Sequence, residues 1–372
     1  MSEHEHDDSV DPAVTPQLFR QWRSPRRGKS NPERLDNPVW EWLVKSRLNA
    51  YLATERMQGP SAMDAGPGWC FDRFGQSITL LPDGRKIFIA GEHEDHYDPD
   101  FFIYNDVVVE TPDGIEIFGY PTDVFPPTDF HSATLAGNRI VIIGNLGYQE
   151  TRQPGVTPVF ILQIDTWAIC SVITQGATPG WIHKHQATLS ENGASIVVRG
   201  GKLDRGDPDH SLVENIDDWR LHLADWRWER LTERRWQRWE FIREDGECNH
   251  LWDLHQAHFA RQHPVLNTMP DIKKEFGLPS LEEELGGVPD LDLVEKLYSP
   301  AWPHEPLPSS DEEYNVHRIR VAGVVVRYVE EMHSVQMTVE GELPPLTLEA
   351  LTSDLRAKLS ALENAPFAVK PL

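Results

Sequence analysis

A dense cluster of potential metal ligands lies in residues 92–100. This stretch reads Glu-His-Glu-Asp-His-Tyr-Asp-Pro-Asp, so imidazole and carboxylate side chains alternate along it. Side chains of both kinds bind zinc and other first-row metal ions. The spacing matches no fixed ligand motif, and a solvated polar loop is the alternative interpretation. The metal ligands predicted here are His93, Asp95, His96 and Asp98.

A second group of histidines lies in residues 248–263. The pattern predicts a helix that ends before Pro264, because the residue preceding a proline disfavours helical backbone. His255 and His258 are three residues apart and share a helix face. Zinc binding or general-base chemistry is one interpretation, and half-exposed helix histidines are the other. The His-Glu-x-x-His pattern of zinc proteases does not occur.

Other catalytic signatures do not occur in the chain. It has no Gly-x-Ser-x-Gly elbow, phosphate-binding loop or dinucleotide fingerprint. Its cysteines, Cys70, Cys170 and Cys248, are too widely spaced for a disulfide framework or a zinc pair. The sequence therefore predicts no catalytic residue and no cofactor.

Three segments of the chain share one sequence pattern. The structure that they form must position the candidate ligands of residues 92–100. Residues 76–91, 131–144 and 185–201 each contain a Thr-Leu that closes a short apolar run, a Gly/Asn turn, a β-branched run and a terminal glycine. Thr79, Thr134 and Thr188 are separated by 55 and 54 residues. A fixed step of roughly 50 residues is typical of a repeat architecture. Third and fourth strands are predicted at 102–109 with 115–120, 159–164 with 167–173, and 219–223 with 226–231.

The hairpin, the glycine after its second strand, the variable loop and a late tryptophan together resemble kelch repeats, over residues 69–231. In that family, four strands form one blade of a β-propeller, and the blades present loops to protein partners. The sequence departs from the family because only the third unit has paired glycines, Gly200 and Gly201, whereas Gly91 and Gly144 stand alone. The predicted fold is mainly β with helical additions: kelch-like β-propeller blades in a partial or atypical propeller.

Two histidines hold equivalent positions in successive repeats. Because equivalent positions recur around a common propeller axis, His131 and His185 could face one ligand-binding rim, with Gln76 at the third place. Packing or hydrogen bonding within the repeats is the alternative. Tryptophans and arginines alternate in residues 219–239, where they either seal the last blade or form an interface. The predicted binding residues are His131, His185, Trp226, Trp228, Trp236, Arg227 and Arg235.

Composition and charge restrict the class of partner. The formal net charge of −24 argues against nucleic-acid binding and favours a basic protein partner, with solubility as the simpler explanation. The chain contains neither an apolar run long enough to span a membrane nor a secretory signal. We therefore expect a cytoplasmic protein without a membrane or nucleic-acid partner, whose oligomeric state the sequence leaves open.

The remaining elements flank the repeats. We expect a flexible acidic/basic extension (1–36), a helix and linker (37–68), the repeat block (69–240), a helical, Pro-rich surface insert (241–312) and a C-terminal ββα unit (313–372). Asn37 is the predicted cap of a helix that continues to Met57. Three blades do not close a ring of four to eight. The chain could hide degenerate blades in 233–343, form an open stack, or share a ring with a second chain; the open stack is favoured.

Two functions are compatible with these patterns. The leading hypothesis is a non-catalytic protein-interaction module, such as a regulator that binds a toxin or effector. The alternative is a metal-dependent enzyme with a histidine and carboxylate site on the propeller rim. A convergent polar pocket would favour the enzyme, and an open apolar or Trp/Arg-lined surface would favour the interaction module.

Overall fold

The computed structural model describes residues 14–95, 98–206, 212–263, 278–308 and 315–372. The chain divides into two units at Glu233 and Arg234. The first unit contains three larger antiparallel sheets, and the second contains one antiparallel sheet with helices. In the described residues these sheets do not close into a barrel or a ring.

Each of the three larger sheets has four strands that pair in chain order, and β1 adds a fifth strand at the edge of the first sheet. The first has the order β1-β7-β6-β3-β2, the second β11-β10-β9-β8 and the third β13-β14-β17-β18. The strands of the first are β1 (Glu33–Arg34), β2 (Ser77–Leu80), β3 (Lys86–Ile89), β6 (Val107–Thr111) and β7 (Gly114–Gly119). Those of the second are β8 (Ser132–Ala136), β9 (Arg139–Ile143), β10 (Val159–Gln163) and β11 (Ile169–Ser171). Those of the third are β13 (Gln186–Leu189), β14 (Ser195–Arg199), β17 (Trp219–His222) and β18 (Arg227–Arg230).

Smaller elements fill the connections of the first unit. A hairpin of β4 (Glu92–Asp95) and β5 (Asp98–Ile103) separates β3 from β6. A three-stranded sheet is formed by β12 (Trp181–His183), β15 (Lys202–Asp204) and β16 (Leu212–Glu214). A 3₁₀ turn occupies Gln149–Thr151.

Alternating residues bury both faces of the middle sheet. Because successive side chains of a strand point to opposite faces, Ile140 and Ile142 pack towards the first sheet, and Val141 and Ile143 towards the third. All four are 0% exposed, so β9 lies at the centre of the unit. A strand buried on both faces has the near-continuous β-branched sequence seen here.

The two ends of this stack differ in chemistry. The outer face of the first sheet packs against helices α1 (Pro16–Trp22), α2 (Pro38–Ser46) and α3 (Ala50–Arg56), and α4 (Ala62–Ala65) follows them. The outer face of the third sheet instead carries ion pairs, in which Glu229 Oε2 lies 3.0 Å from His222 Nε2 and 3.1 Å from Arg220 Nη1. A polar outer face is how terminal repeats avoid exposing a core surface.

The predicted N-terminal helix is interrupted. Asn37 caps α2 as predicted, accepting hydrogen bonds from the backbone amides of Val39 and Trp40. The helix ends at Arg47, whose backbone is left-handed (φ 57°) and whose guanidinium lies over the Phe71 ring and pairs with Glu110. These sheet contacts hold Arg47 outside helical geometry, and a second helix begins at Ala50.

The extension predicted to be flexible is ordered over residues 14–36. Arg27 donates to the Asn105 side chain (2.9 Å) and to the Ile103 carbonyl (2.6 Å), and it stacks on Phe102. Arg27 therefore ties this arm to the connection between β5 and β6.

A two-residue turn follows the second strand of each sheet. Its first residue is Ala90, Gly144 or Gly200, with positive φ angles of 51°, 76° and 60°. Gly91 is therefore the partner of Gly201, and the position equivalent to Gly144 is Ala90, one residue earlier than the sequence alignment placed it. Only glycine enters this region without strain, which explains why the pattern is rich in glycine.

We expect Gly144→Ala to destabilise the protein more than Gly200→Ala. A Cβ at Gly144 would lie 2.3 Å from the Ile182 carbonyl oxygen, whereas at Gly200 no atom lies within 4 Å. An alanine in the left-handed backbone conformation lowers the free energy of unfolding by about 1 kcal/mol at either site. The steric clash raises the loss at Gly144 to roughly 3 kcal/mol. Urea denaturation of both variants measures the difference, and equal losses would contradict it.

The second unit is a six-stranded antiparallel sheet in the order β20-β21-β22-β23-β19-β24. The strands are β19 (Gln237–Arg243), β20 (Glu305–Leu307), β21 (Val316–Val321), β22 (Val324–Glu330), β23 (Ser334–Val339) and β24 (Phe367–Pro371). The helices are α5 (Leu251–Gln262), α6 (Leu278–Glu284), α7 (Leu291–Glu295) and α8 (Pro345–Glu363). Residues 315–328, within the predicted ββα unit, form two strands and not one, because Ala322 and Gly323 both have positive φ and make a hairpin turn.

The segment predicted as a surface insert belongs to the core of the second unit. Leu254, Leu281, Leu291 and Val294 pack in one cluster with the leucines of α8 and the central strands. The segment's high Pro and Glu content suggested a surface location, but its leucines are spaced so that short helices bury them. Among the described helices, none is both long enough and apolar enough to cross a membrane.

Candidate histidine and carboxylate site

Helix α5 carries two different faces. Leu251, Leu254 and Ala257 are buried in the core of the second unit, as their helical spacing requires. The helix start is fixed by Glu363, whose carboxylate accepts from the His250 backbone amide at 2.8 Å and contacts its ring Nδ1 at 2.8 Å. This anchor sets the rotation of α5 and so the direction of His255 on its other face.

The sheet supplies the partners of His255. His317 in β21 lies directly opposite Tyr328 in β22, and Glu330 follows Tyr328 by two residues. Residues two apart on a strand share a face, so Glu330 is a diagonal neighbour of His317. The Glu330 backbone is held by Asn315, whose side-chain amide donates to the Glu330 carbonyl at 2.8 Å.

Three side chains converge on one oxygen of Glu330. Oε1 lies 2.9 Å from His255 Nε2 and accepts a hydrogen bond from the Tyr298 hydroxyl at 2.6 Å. It also lies 3.3 Å from the buried Nε2 of His317. The His317 ring is stacked between Tyr298 (centroids 4.4 Å apart) and His255 (5.6 Å), which fixes its plane.

The charge of this cluster is set by its buried carboxylate. Burial alone would raise the pKa of Glu330, but the adjacent imidazoles of His255 and His317 outweigh it and lower the pKa to about 2. Burial, reinforced by the Glu330 charge, raises the pKa of Tyr298 well above its usual value. At neutral pH the site therefore holds a carboxylate and a protonated phenol that donates to it.

The cluster has the composition of a metal site. One nitrogen from each histidine and one Glu330 oxygen all lie within 4.8 Å of one another. Tetrahedral zinc with bonds of about 2.1 Å places its ligand atoms roughly 3.4 Å apart, close to the 2.9 and 3.3 Å seen here. Two histidines and one carboxylate leave open positions on zinc or iron for water or substrate.

A cavity of about 800 Å³ opens beside these side chains, all within the second unit. His255, His317 and Glu330 lie on its wall, with Asn249, Gln256 and Asn315 as further polar groups. The apolar part of the lining is Leu251, Trp252, Phe259 and Met332. A pocket of this size with a few convergent polar groups is typical of a small-molecule site.

The metal ligands predicted in residues 92–100 remain untested. His93 is buried in β4, and the backbones of Asp95 and Asp98 pair in the hairpin. His96 lies outside the described residues. The only group in the described part of the chain that brings three potential ligands together is the one in the second unit.

The two equivalent histidines of the repeats link neighbouring sheets. The Nε2 atoms of His131 and His185 lie 2.7 Å from Ser77 Oγ and 2.8 Å from Ser132 Oγ, in each case a serine of the preceding sheet. Both rings are buried. This geometry matches the packing alternative, and a ligand-binding role for His131 and His185 stays a prediction.

The tryptophan and arginine set is divided between the interior and the surface. Trp228 is buried between the second and third sheets, and Trp226 packs at the edge of that core beneath Arg139. Trp236 is half-buried under Arg234. Arg227 and Arg235 are exposed, so partner binding stays a prediction that suits these two best.

Sequence inspection noted His255 but missed its partners. His258, the residue paired with it on helical spacing, instead contacts the Leu291 carbonyl at 2.9 Å and ties α5 to α7. His317 and Glu330 lie 62 and 75 residues further along the chain. One signal was present: Glu330 is a carboxylate on the same strand face as Val326 and Tyr328, where an apolar side chain is expected.

No family model and no curated protein matches the chain. A solved structure described as "Structure of YjhT" is similar over 44% of this chain and 52% of its own, with 12% sequence identity and a TM-score of 0.28. The chain thus spans about half the length of that structure, and a likeness this weak assigns neither a family nor a function.

Proposed function

We propose that this protein is a metal-dependent enzyme whose site is formed by His255, His317 and Glu330 in the second unit. The observation that carries the proposal is the convergence of three ligand atoms within 4.8 Å on the wall of a large cavity. This relocates the metal site expected on a propeller rim to the sheet and helix α5 of the C-terminal unit.

A bound zinc or iron ion would supply Lewis-acid activation of a water molecule or of a substrate oxygen. The residues around it have separate tasks. Glu330 provides the negative charge, and Tyr298 orients that carboxylate as an outer partner. Ring stacking against Tyr298 fixes the plane in which His317 presents Nε2. The reaction class that fits best is metal-assisted hydrolysis of a small molecule.

The decisive experiment is zinc titration by calorimetry on the full chain carrying His4→Ala and His6→Ala, which removes adventitious binding by the terminal histidines. We expect one tightly bound ion. His317→Ala should weaken binding by more than about 100-fold, because loss of an outer-shell partner alone costs about 10- to 100-fold. His263→Ala, exposed on the same segment, is the matched control and should bind as the parent does.

Two results would overturn the proposal. One is the absence of stoichiometric binding in the parent, and the other is equal affinity in His317→Ala. A further variant, His93→Ala with His96→Ala, tests the hairpin: loss of zinc there and not in His317→Ala would place the ion in the first unit. Circular dichroism of every variant without metal ensures that only folded proteins are compared.

For the first unit we retain the proposal of kelch-like blades that present loops to a protein partner. Its support is the shared construction of the three larger sheets: four antiparallel strands that pair in chain order, a left-handed turn after the second, and apolar contact with a neighbouring sheet. The exposed Arg227 of this unit is then a candidate for contacting that partner.

A further inference from the structure

The cavity face of α5 carries an exposed aromatic ring on each side of His255. Trp252, His255 and Phe259 are spaced by three and four residues, so they form one stripe along the helix. Trp252 is 57% exposed and Phe259 is 49% exposed. Leu254 and Ala257, on the buried face of the helix, already supply the apolar contacts that the core requires. Phe259 also stacks on His263, with ring centroids 4.1 Å apart, and both Trp252 and Phe259 keep exposed surface that lines the cavity.

The other side of the cavity continues this apolar lining. Met332, which follows β22, is 70% exposed and lies on the cavity wall with both rings. Methionine is flexible and polarisable and forms favourable contacts with aromatic groups. A volume of about 800 Å³ is large enough for a ring system with substituents. If only water filled the cavity, the apolar surfaces of Trp252, Phe259 and Met332 would stay in contact with solvent, which is less favourable than contact with an apolar ligand.

Polar groups in the cavity are concentrated near the proposed metal ligands. Asn249, Gln256 and Asn315 contribute amide groups, and Glu330 and Glu331 contribute carboxylates. No lysine or arginine lines the cavity among the described residues. A highly charged anion such as a phosphate would lack a basic partner here, whereas a carbonyl or single carboxylate oxygen would need only a metal ion.

We propose that the substrate is a small aromatic molecule with a carbonyl or carboxylate oxygen. The oxygen occupies an open position of the ion held by His255, His317 and Glu330, and the ring stacks against Trp252 and Phe259. This inference rests on the proposed function, because the ion supplies the contact for the oxygen. It adds that recognition depends on the aromatic stripe of α5.

The test compares two hydroxamates that share one chelating group. Benzohydroxamate carries a phenyl ring, and acetohydroxamate carries a methyl group. The protein tested is the zinc-loaded full chain with His4→Ala and His6→Ala. We expect it to bind benzohydroxamate at least about 10-fold more tightly than acetohydroxamate, because burial of the phenyl ring adds binding free energy of at least that size. Trp252→Ala should remove most of this preference, and Trp252→Phe should retain it.

Zinc affinity separates this inference from the proposal on which it rests. Trp252→Ala should bind zinc within about twofold of the parent, since Trp252 is not a ligand. Phe74→Ala, an exposed aromatic residue of the first unit, is the matched control and should keep the preference. Stoichiometric zinc with equal affinity for both hydroxamates would overturn the aromatic substrate alone. Absence of zinc binding would overturn both proposals.

Discussion

Acidification from about pH 7 to about pH 4.5 is expected to destabilise the first unit by roughly 6 kcal/mol, through three buried histidines. Burial lowers the pKa of His131 and of His183 to about 3 and that of His185 to about 4. The positive charges of Lys184, Lys202 and Arg152 add to the shift at His183. All three imidazoles are neutral in the folded protein at neutral pH.

The direction of the effect follows from proton binding. In the unfolded chain a histidine binds a proton below a pKa of about 6.5, whereas the folded protein resists protonation until about pH 3 to 4. Stability is therefore complete above about pH 6.5 and falls as the pH decreases towards the folded pKa. At about pH 4.5 each histidine contributes a loss of about 2 kcal/mol. Burial raises the pKa of Asp129, and its protonation offsets a part of this loss.

Hydrogen exchange of peptides from β9 and β14, measured at several pH values, reports the stability of this unit. A glutamine side chain can contact the serine hydroxyl as the histidine Nε2 does. His131→Gln and His185→Gln should therefore each reduce the slope of the unfolding free energy against pH by the amount that corresponds to about one bound proton. His222→Gln is the matched control, because His222 lies among the ion pairs of the polar outer face. An unchanged slope in both buried variants would show that these residues do not cause the acid sensitivity.

Asp106→Ala is expected to cost about 3–5 kcal/mol, the range for breaking a buried ion pair. Its partner is Arg73, and the two side chains are 4% and 0% exposed. Asp106 Oδ2 accepts from the Trp69 indole at 2.7 Å, and the Arg73 guanidinium lies 3.5 Å from the centre of the Tyr104 ring. Removing the carboxylate leaves a buried cation and an indole N–H without their acceptor.

Urea denaturation of Asp106→Ala, Arg73→Met and the double variant that carries both changes checks this account. The double variant should be less destabilised than the sum of the single changes, because it leaves no isolated charge. Arg199→Ala removes an exposed ion pair with Asp218 and should cost less than about 1 kcal/mol. A comparable cost at Asp106 and Arg199 would contradict the dominant role of burial.

Local patterns in the sequence predict the elements, and contacts between distant residues determine the site. The short apolar runs at β3, β9 and β14, rich in β-branched residues and bounded by turn residues, predict strands because such a run is a local property of the sequence. Asn37 predicts its cap for the same reason. Glu330 and His317 meet only through the register of a hairpin whose turn at Ala322 was not recognised. A one-residue error at Ala90 likewise paired the wrong glycines, since spacing cannot distinguish adjacent positions of a turn.

The unlike ends of the three-sheet stack restrict how such a chain can lengthen by gene duplication. The first sheet is already covered by helices, and the third ends in the ion pairs of Glu229. A copy of the second repeat, apolar on both faces, could be inserted between its neighbours and would find a partner on each side. A copy added after the third would bury Arg220, His222 and Glu229 against an apolar sheet. An additional repeat could therefore be accommodated only between the existing sheets, and not at either end of the stack.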